Sequence, residues 1–94
     1  MTNKTDNSGP YIVGANYLIR TVTMTLTGCL AAVHDQELVL TSAAWIADTG
    51  RFADAFTTGK FDEIEPFPDG EVIVGRGAVV DAARWLWELP RQQQ

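Results

Sequence analysis

Alternating apolar and polar positions in the first half of the chain predict β-strands. Residues 17–26, YLIRTVTMTL, are rich in β-branched and aromatic side chains and alternate throughout, so we expect one continuous strand with two usable faces. Gly28 permits a bend or a bulge after this strand. Further short strands are expected at residues 11–13, 30–33 and 37–40, with turns at residues 14–16 and 34–36.

After residue 40 the apolar positions fall three and four residues apart, which is typical of a helix. Thr41 and Ser42 offer hydroxyl groups for an N-cap, and Gly50 offers a C-cap. The pattern therefore predicts a short helix whose apolar residues are Ala43, Ala44, Ile46 and Ala47. A second helical segment over residues 52–57 is expected to end at Gly59.

The second half begins with an acid-rich segment, residues 61–71, FDEIEPFPDGE, which we interpret as an extended surface connector. A strand at residues 72–74 and a tight bend at residues 75–77 follow. Residues 78–87 fit a strand or a helix, and a strand is favoured at their start. The predicted fold class is α+β, a small, strongly bent antiparallel sheet or barrel of about five strands with a short helical insertion between strands 3 and 4.

Composition limits the kinds of protein this chain can be. Its 94 residues, 46% of them hydrophobic, fit one globular domain, which we place at residues 11–89 between flexible tails at 1–10 and 90–94. The sequence shows neither a spanning apolar run nor a signal peptide, so a cytoplasmic protein without membrane contact is expected. With Cys29 and His34 as the sole residues of their types, we expect no disulfide within the chain, no metal site and no cofactor. The net charge of −5 argues against binding of long nucleic acids.

Two motifs resemble those of the Sm-like family of small, bent, five-stranded β-barrels. The first has a glycine, an alternating strand, a polar turn with Asp, and a strand that ends in Leu and Ala. The second is an apolar strand, Arg-Gly and a short apolar strand. The matching residues are Gly28, Leu30, Val33, Asp35, Leu38, Val39, Leu40 and Ala43 for the first motif, and Val72, Ile73, Val74, Arg76, Gly77, Val79 and Val80 for the second. A polar tail stands where the family usually opens with a helix.

Most of the chain, from Tyr17 through AAWIADTGRF to VIVGRGAVVDA, also resembles a set of short proteins of tailed bacteriophages and prophages, a resemblance that brings no known activity with it. Together the resemblances imply a non-enzymatic phage product in the host cytoplasm that forms a homo-oligomer, a ring in the Sm-like case, and binds a small nucleotide-type ligand. Our hypothesis is sequestration of a host signalling nucleotide, an anti-defence role. The alternative is a structural or protein-interaction module with no small ligand.

The candidate ligand-binding residues are arginines with polar and aromatic neighbours. Seven basic residues stand against twelve acidic ones, so each arginine in a cleft matters, and arginine pairs bidentately with phosphate. The Sm-like resemblance implies a pocket between the turn after the second strand and the Arg-Gly bend, where His34 stacks on a base and Gln36 bonds its edge. The candidates are His34, Gln36, Arg76, Gly77, Arg51, Phe52 and Arg20. For Arg76 the alternative is a salt bridge to an acidic residue such as Asp81.

The triplet Asp48-Thr49-Gly50 is the one that retroviral-type aspartic proteases contribute to their dimeric active site. The spacing argues against this activity, because the triplet follows a predicted helix and lies too close to the Val-Gly-Arg segment for a flap. We interpret it as turn chemistry, assign no catalytic residue and expect no enzyme. Trp45 is expected in the core or an interface, and Trp85 and Trp87 are expected to share a face that suits a subunit contact.

Overall fold

The computed structural model describes residues 9–92, which form an antiparallel β-sheet with a short α-helix. The elements in chain order are β1 (Asn16–Thr21), β2 (Thr25–Val33), β3 (Glu37–Asp48), α1 (Phe52–Thr58), β4 (Glu63–Pro66), β5 (Glu71–Gly75), the 3₁₀ turn η1 (Arg76–Ala78) and β6 (Val79–Arg84). The expected antiparallel sheet with a helical insertion after strand 3 is confirmed. The described fold is mostly β: its sheet has six strands and does not close into a barrel.

Strand β3 organises the sheet because it pairs with three other strands. The strand order is β4-β3-β2-β1-β6, and β5 pairs with the first half of β3 while β4 pairs with its second half. Between the halves Ser42 has a φ of 51°, and Ser42 and Ala43 lie opposite the single residue Gly28 of β2 as a β-bulge. A Cβ atom on Gly28 would lie 3.1 Å from the Cβ of Leu40, closer than most Cβ atoms approach, so a glycine lets β2 and β3 come together at the bend without displacing the Leu40 side chain. The bulge expected at Gly28 is confirmed.

The bent sheet buries apolar side chains on both of its faces. In β1, Tyr17 and Ile19 point to one face and Leu18 to the other, as strand alternation requires. The first core cluster contains Tyr17, Ile19, Leu26, Leu30, Leu38, Leu40, Ala43 and Val74. The second contains Leu18, Ala44, Ile46, Ala55, Phe61, Ile64 and Trp85. Helix α1 covers the second face through Ala55, so the insertion is part of the core.

The helix predicted over residues 43–47 is wrong, because these residues belong to β3. Ala43 packs in the first cluster, whereas Ala44 and Ile46 pack in the second. The bulge at Ser42 shifts the strand alternation by one residue, and burial on both faces then imitates helical spacing. The hydroxyls of Thr41 and Ser42 therefore cap no helix, and Gly50 ends none.

The single strand predicted over residues 17–26 is also wrong, because β1 and β2 form a hairpin that turns at residues 22–24. The Thr21 hydroxyl closes this turn. Its Oγ1 accepts hydrogen bonds from the backbone N–H groups of Thr23 and Met24 and donates one to the Met24 carbonyl. Residues 11–13, expected as a strand, have no strand structure, although Tyr11 packs on the first cluster.

Several other predictions are confirmed. Helix α1 occupies the second predicted helical segment and ends at Gly59, whose φ of 74° is left-handed and whose N–H bonds the Ala55 carbonyl. The ambiguous segment after residue 78 forms strand β6, and the acid-rich connector contains the short strand β4.

The three tryptophans lie in different environments. Trp85 is buried in the second cluster, but Trp87 lies beyond β6 and is 42% exposed, so these two do not share a face as expected. Trp45 lies on β3 and is 40% exposed, not in the core.

The predicted tails and domain bounds stay predictions. Residues 1–8 and 93–94 lie outside the described residues. Arg91, in the predicted C-terminal tail, lies within the described residues, and its guanidinium donates hydrogen bonds to the carbonyls of Ala43 (2.8 Å) and Phe67 (3.1 Å). Within residues 9–92, no helix has the length and apolar character needed to cross a membrane.

Replacing Thr27 by valine is expected to stabilise the fold. Thr27 is fully buried beside Leu18 and Ala44, and its Oγ1 has no hydrogen-bond partner within the described chain. An isosteric methyl group removes this desolvated hydroxyl, which should raise the free energy of unfolding by about 1 kcal/mol. Denaturant unfolding measures it, with Thr25→Val, a half-buried position on the same strand, as the control. A loss of stability in Thr27→Val alone would contradict the prediction.

Candidate ligand-binding site

The Arg-Gly bend meets the turn between β2 and β3. The backbone N–H of Arg76 donates to the Gln36 carbonyl (2.9 Å), and its Nη1 donates to the His34 carbonyl (2.8 Å). The His34 N–H in turn donates to the Glu37 carbonyl (2.8 Å), which closes the turn. The guanidinium carbon of Arg76 lies 5.7 Å from the ring centroid of Tyr11. Arg76 thus holds the β2–β3 turn against η1.

We call the surface formed by His34, Gln36, Arg76 and Gly77 the loop-end surface. His34, Gln36 and Gly77 are exposed, while Arg76 is half-buried. No described atom comes within 4 Å of a Cβ built on Gly77, so the backbone there is open to approach. The surface offers an imidazole ring for stacking and an amide for hydrogen bonding. It is an open site rather than a deep pocket.

Arg20 belongs to a second group, on the paired strands β1 and β6. Arg20 faces Asp81 across the β1–β6 pair, where its Nε donates to Oδ1 of Asp81 (2.8 Å) and its Nη2 donates to Oδ2. The Arg20 guanidinium carbon also lies 4.9 Å from the ring centroid of Phe52. Asp81, the residue named as a salt-bridge partner for Arg76, pairs with Arg20, and a structural salt bridge of Arg76 stays an alternative.

A groove runs beside this ion pair, between α1 and β6, and we call it the α1–β6 groove. Its volume is about 340 Å³. The Phe52 and Phe56 rings line it 6.3 Å apart, and Phe56 meets the buried Trp85 edge to face at 5.5 Å. The lining residues are Leu18, Arg20, Phe52, Phe56, Asp81, Ala82 and Ala83.

The ion pair shifts the pKa values of both Arg20 and Asp81, each towards its charged form. Hydrogen bonds from Arg20 hold the pKa of Asp81 below its ordinary value, and the same bonds raise the pKa of Arg20. Both side chains are about half exposed, so the interaction is one of solvated groups. The pair fixes Arg20 over Phe52, and its carboxylate neighbour makes this guanidinium a poor phosphate ligand.

The remaining sequence candidates lie near the start of α1. Arg51 is exposed, and its carbonyl accepts the first helical hydrogen bond from Ala55 (2.9 Å). Asp48 ends β3, where its Oδ1 accepts a hydrogen bond from the Gly50 N–H (2.9 Å). The carboxylate of the Asp-Thr-Gly triplet thus makes a turn bond within the chain.

The candidates therefore fall into two groups. His34, Gln36, Arg76 and Gly77 form the loop-end surface, and Arg20 joins Phe52 in the α1–β6 groove, with Arg51 next to Phe52 in the chain. Sequence reasoning missed the contacts of Tyr11 with Arg76 and of Phe56 with the groove. The spacing of Phe52 and Phe56, four residues apart in a predicted helix, was the signal available for the second contact.

Comparisons of this chain with protein-family models, with curated proteins and with solved structures yield no significant match.

The acid stability of the protein should depend on Asp81. Because its pKa is lowered in the folded state, the ion pair stabilises the protein above the unfolded pKa of about 4 and this contribution is lost as pH falls through the folded value. We expect the melting temperatures of the wild type and Asp81→Asn to converge below pH of about 4. Melting curves from neutral to acid pH measure this. Glu65→Gln, at an exposed carboxylate of β4 that forms no ion pair within the described residues, is the control, and a constant difference for Asp81→Asn would contradict the prediction.

Proposed function

We propose that this protein is a self-assembling, non-enzymatic module in which β5 of one copy pairs with β6 of the next, and that the loop-end surface beside each junction binds a small nucleotide-type ligand. The observation that carries the assembly is a pair of strand edges with exposed branched side chains. Ile73 on β5 is 67% exposed, and Val80 on β6 is 63% exposed. Such side chains on unpaired edges favour association.

Strands β5 and β6 each have one edge without a partner strand within the described residues. Within residues 9–92, β5 pairs with β3 alone and β6 with β1 alone, so each has an edge open to another chain. Val80 lies at a register shift in the β1–β6 pair, which directs it away from the regular ladder. Strand β4 is less suited to pairing, because it is short, carries Glu63 and Glu65, and ends in Pro66. Pairing of β5 with β6 in successive copies forms a closed ring or an open chain.

The position of the loop-end surface supports a ligand at the junction. Turn η1 joins β5 directly to β6, so Arg76 and Gly77 lie between the two edges used for assembly. Arg76 bonds the carbonyl of His34, which leaves the imidazole of His34 at the surface. The Sm-like resemblance supports a nucleotide at this place, and the phage resemblance supports an anti-defence role in which the protein sequesters a host signalling nucleotide. The charge of −5 favours a small nucleotide over long nucleic acid.

Charging either free edge should prevent assembly. We expect the wild type to be an oligomer by light scattering, and Ile73→Lys and Val80→Lys each to be monomers, because pairing of the edges would bury the charged side chain at the subunit junction. Val22→Lys is the control: Val22 is 76% exposed but lies in the β1–β2 turn. The assembly proposal fails if the wild type is monomeric or if both edge variants keep its mass.

Removal of the His34 ring should weaken nucleotide binding. Stacking of a base on an aromatic ring is worth about 1–3 kcal/mol, so His34→Ala is expected to reduce affinity about tenfold or more while the melting temperature and mass stay unchanged. Calorimetry against a panel of cyclic nucleotides measures this. Arg76→Ala should lose both binding and some stability, because Arg76 orders the turn.

The alternative function makes the opposite prediction in the same experiment. If the intact oligomer releases no heat with any cyclic nucleotide, the ligand part of the proposal is wrong. The assembly would then be a structural module with no small ligand.

A further inference from the structure

We infer that the α1–β6 groove receives the Ile73 side chain of the adjacent copy, so that the helical insertion clamps the junction between subunits. This inference rests on the proposed pairing of β5 with β6 and specifies what lies beside that pairing. The partner is a second copy of this chain.

The groove is incomplete within one chain. Strand β6 forms one of its walls, and the outer edge of that strand is unpaired within the described residues. The opposite wall is aromatic: Phe56 is 38% exposed and Phe52 is half-buried. Ala83 contributes only a methyl group between these walls. An occupant that extends β6 therefore meets an apolar space with room for a larger side chain.

The faces of the two strands agree with this occupant. In β5, Val72 and Val74 pack on the first core cluster, so Ile73 points to the opposite face. In β6, Ala82 packs on that same first cluster, and Ala83 points towards the groove beside Leu18. A sheet that continues from one copy into the next keeps its faces, because a change of face would bury polar groups. Ile73 of the added strand therefore lies on the groove side of β6.

Cysteine cross-linking between copies tests the inference. In a Cys29→Ser background, which removes the native free thiol, a chain with Ile73→Cys is mixed with a chain that carries Phe56→Cys and oxidised. A disulfide needs Cβ atoms within about 4.5 Å, so a mixed disulfide on a non-reducing gel reports direct proximity. Ala83→Cys is the second groove position, which keeps the test valid if Phe56→Cys unfolds. Val22→Cys is the matched control, exposed but outside the groove.

The outcomes separate the groove from the assembly. A mixed disulfide of Ile73→Cys with Phe56→Cys or Ala83→Cys, and not with Val22→Cys, supports the inference. Absence of both groove disulfides in variants that keep the oligomeric mass overturns the inference and leaves the edge pairing in place. Absence of any oligomer for the wild type by light scattering overturns the inference together with the proposed function.

Discussion

The bend in β3 is the constraint on which the rest of the structure depends. A straight strand of twelve residues would offer one long edge to one partner, but the bulge at Ser42 turns β3 so that its halves pair with β5 and β4. The bend is feasible because Gly28 has no side chain where the Leu40 and Ala43 Cβ atoms approach. A larger residue at Gly28 would press on the Leu40 and Ala43 side chains of β3, which would have to move by a few tenths of an ångström.

The same bend creates the features that bear on function. It places β5 on β3 while β6 pairs with β1, so within the described residues the two strands joined by η1 do not pair with each other and each keeps an open edge. It also changes which residues of β3 face each core cluster, and the second cluster then requires a cover. Helix α1 and Trp85 supply that cover, and the groove lies between the helix and β6. Open edges and groove are therefore consequences of one irregularity.

Much of the strand pattern could be predicted from sequence, and the errors have identifiable physical causes. Short apolar runs located the second half of β2, the start of β3 and β5, and glycine chemistry located the bulge and the end of α1. The helix prediction at residues 43–47 was wrong because the bulge at Ser42 shifts the strand alternation by one residue, which gives the apolar positions a helix-like spacing. The β1–β2 turn was not predicted because the group that closes it is the Thr21 hydroxyl, in a segment without Gly, Pro, Asn or Asp.

Some residues of the candidate site could be grouped from local sequence motifs, whereas others come together only through long-range strand pairing. His34, Gln36 and Arg76 could be grouped from sequence because two short motifs each fix a turn, and pairing of the intervening strands brings the turns together. The Arg20–Asp81 pair depends on the register of β1 against β6, sixty-one residues apart, which no local pattern encodes. Since that register also positions Ala83 opposite Phe52 and Phe56, the groove follows from the pairing rather than from any motif. A site of this origin suits a partner that extends the pairing, and β5 of a second copy meets that requirement.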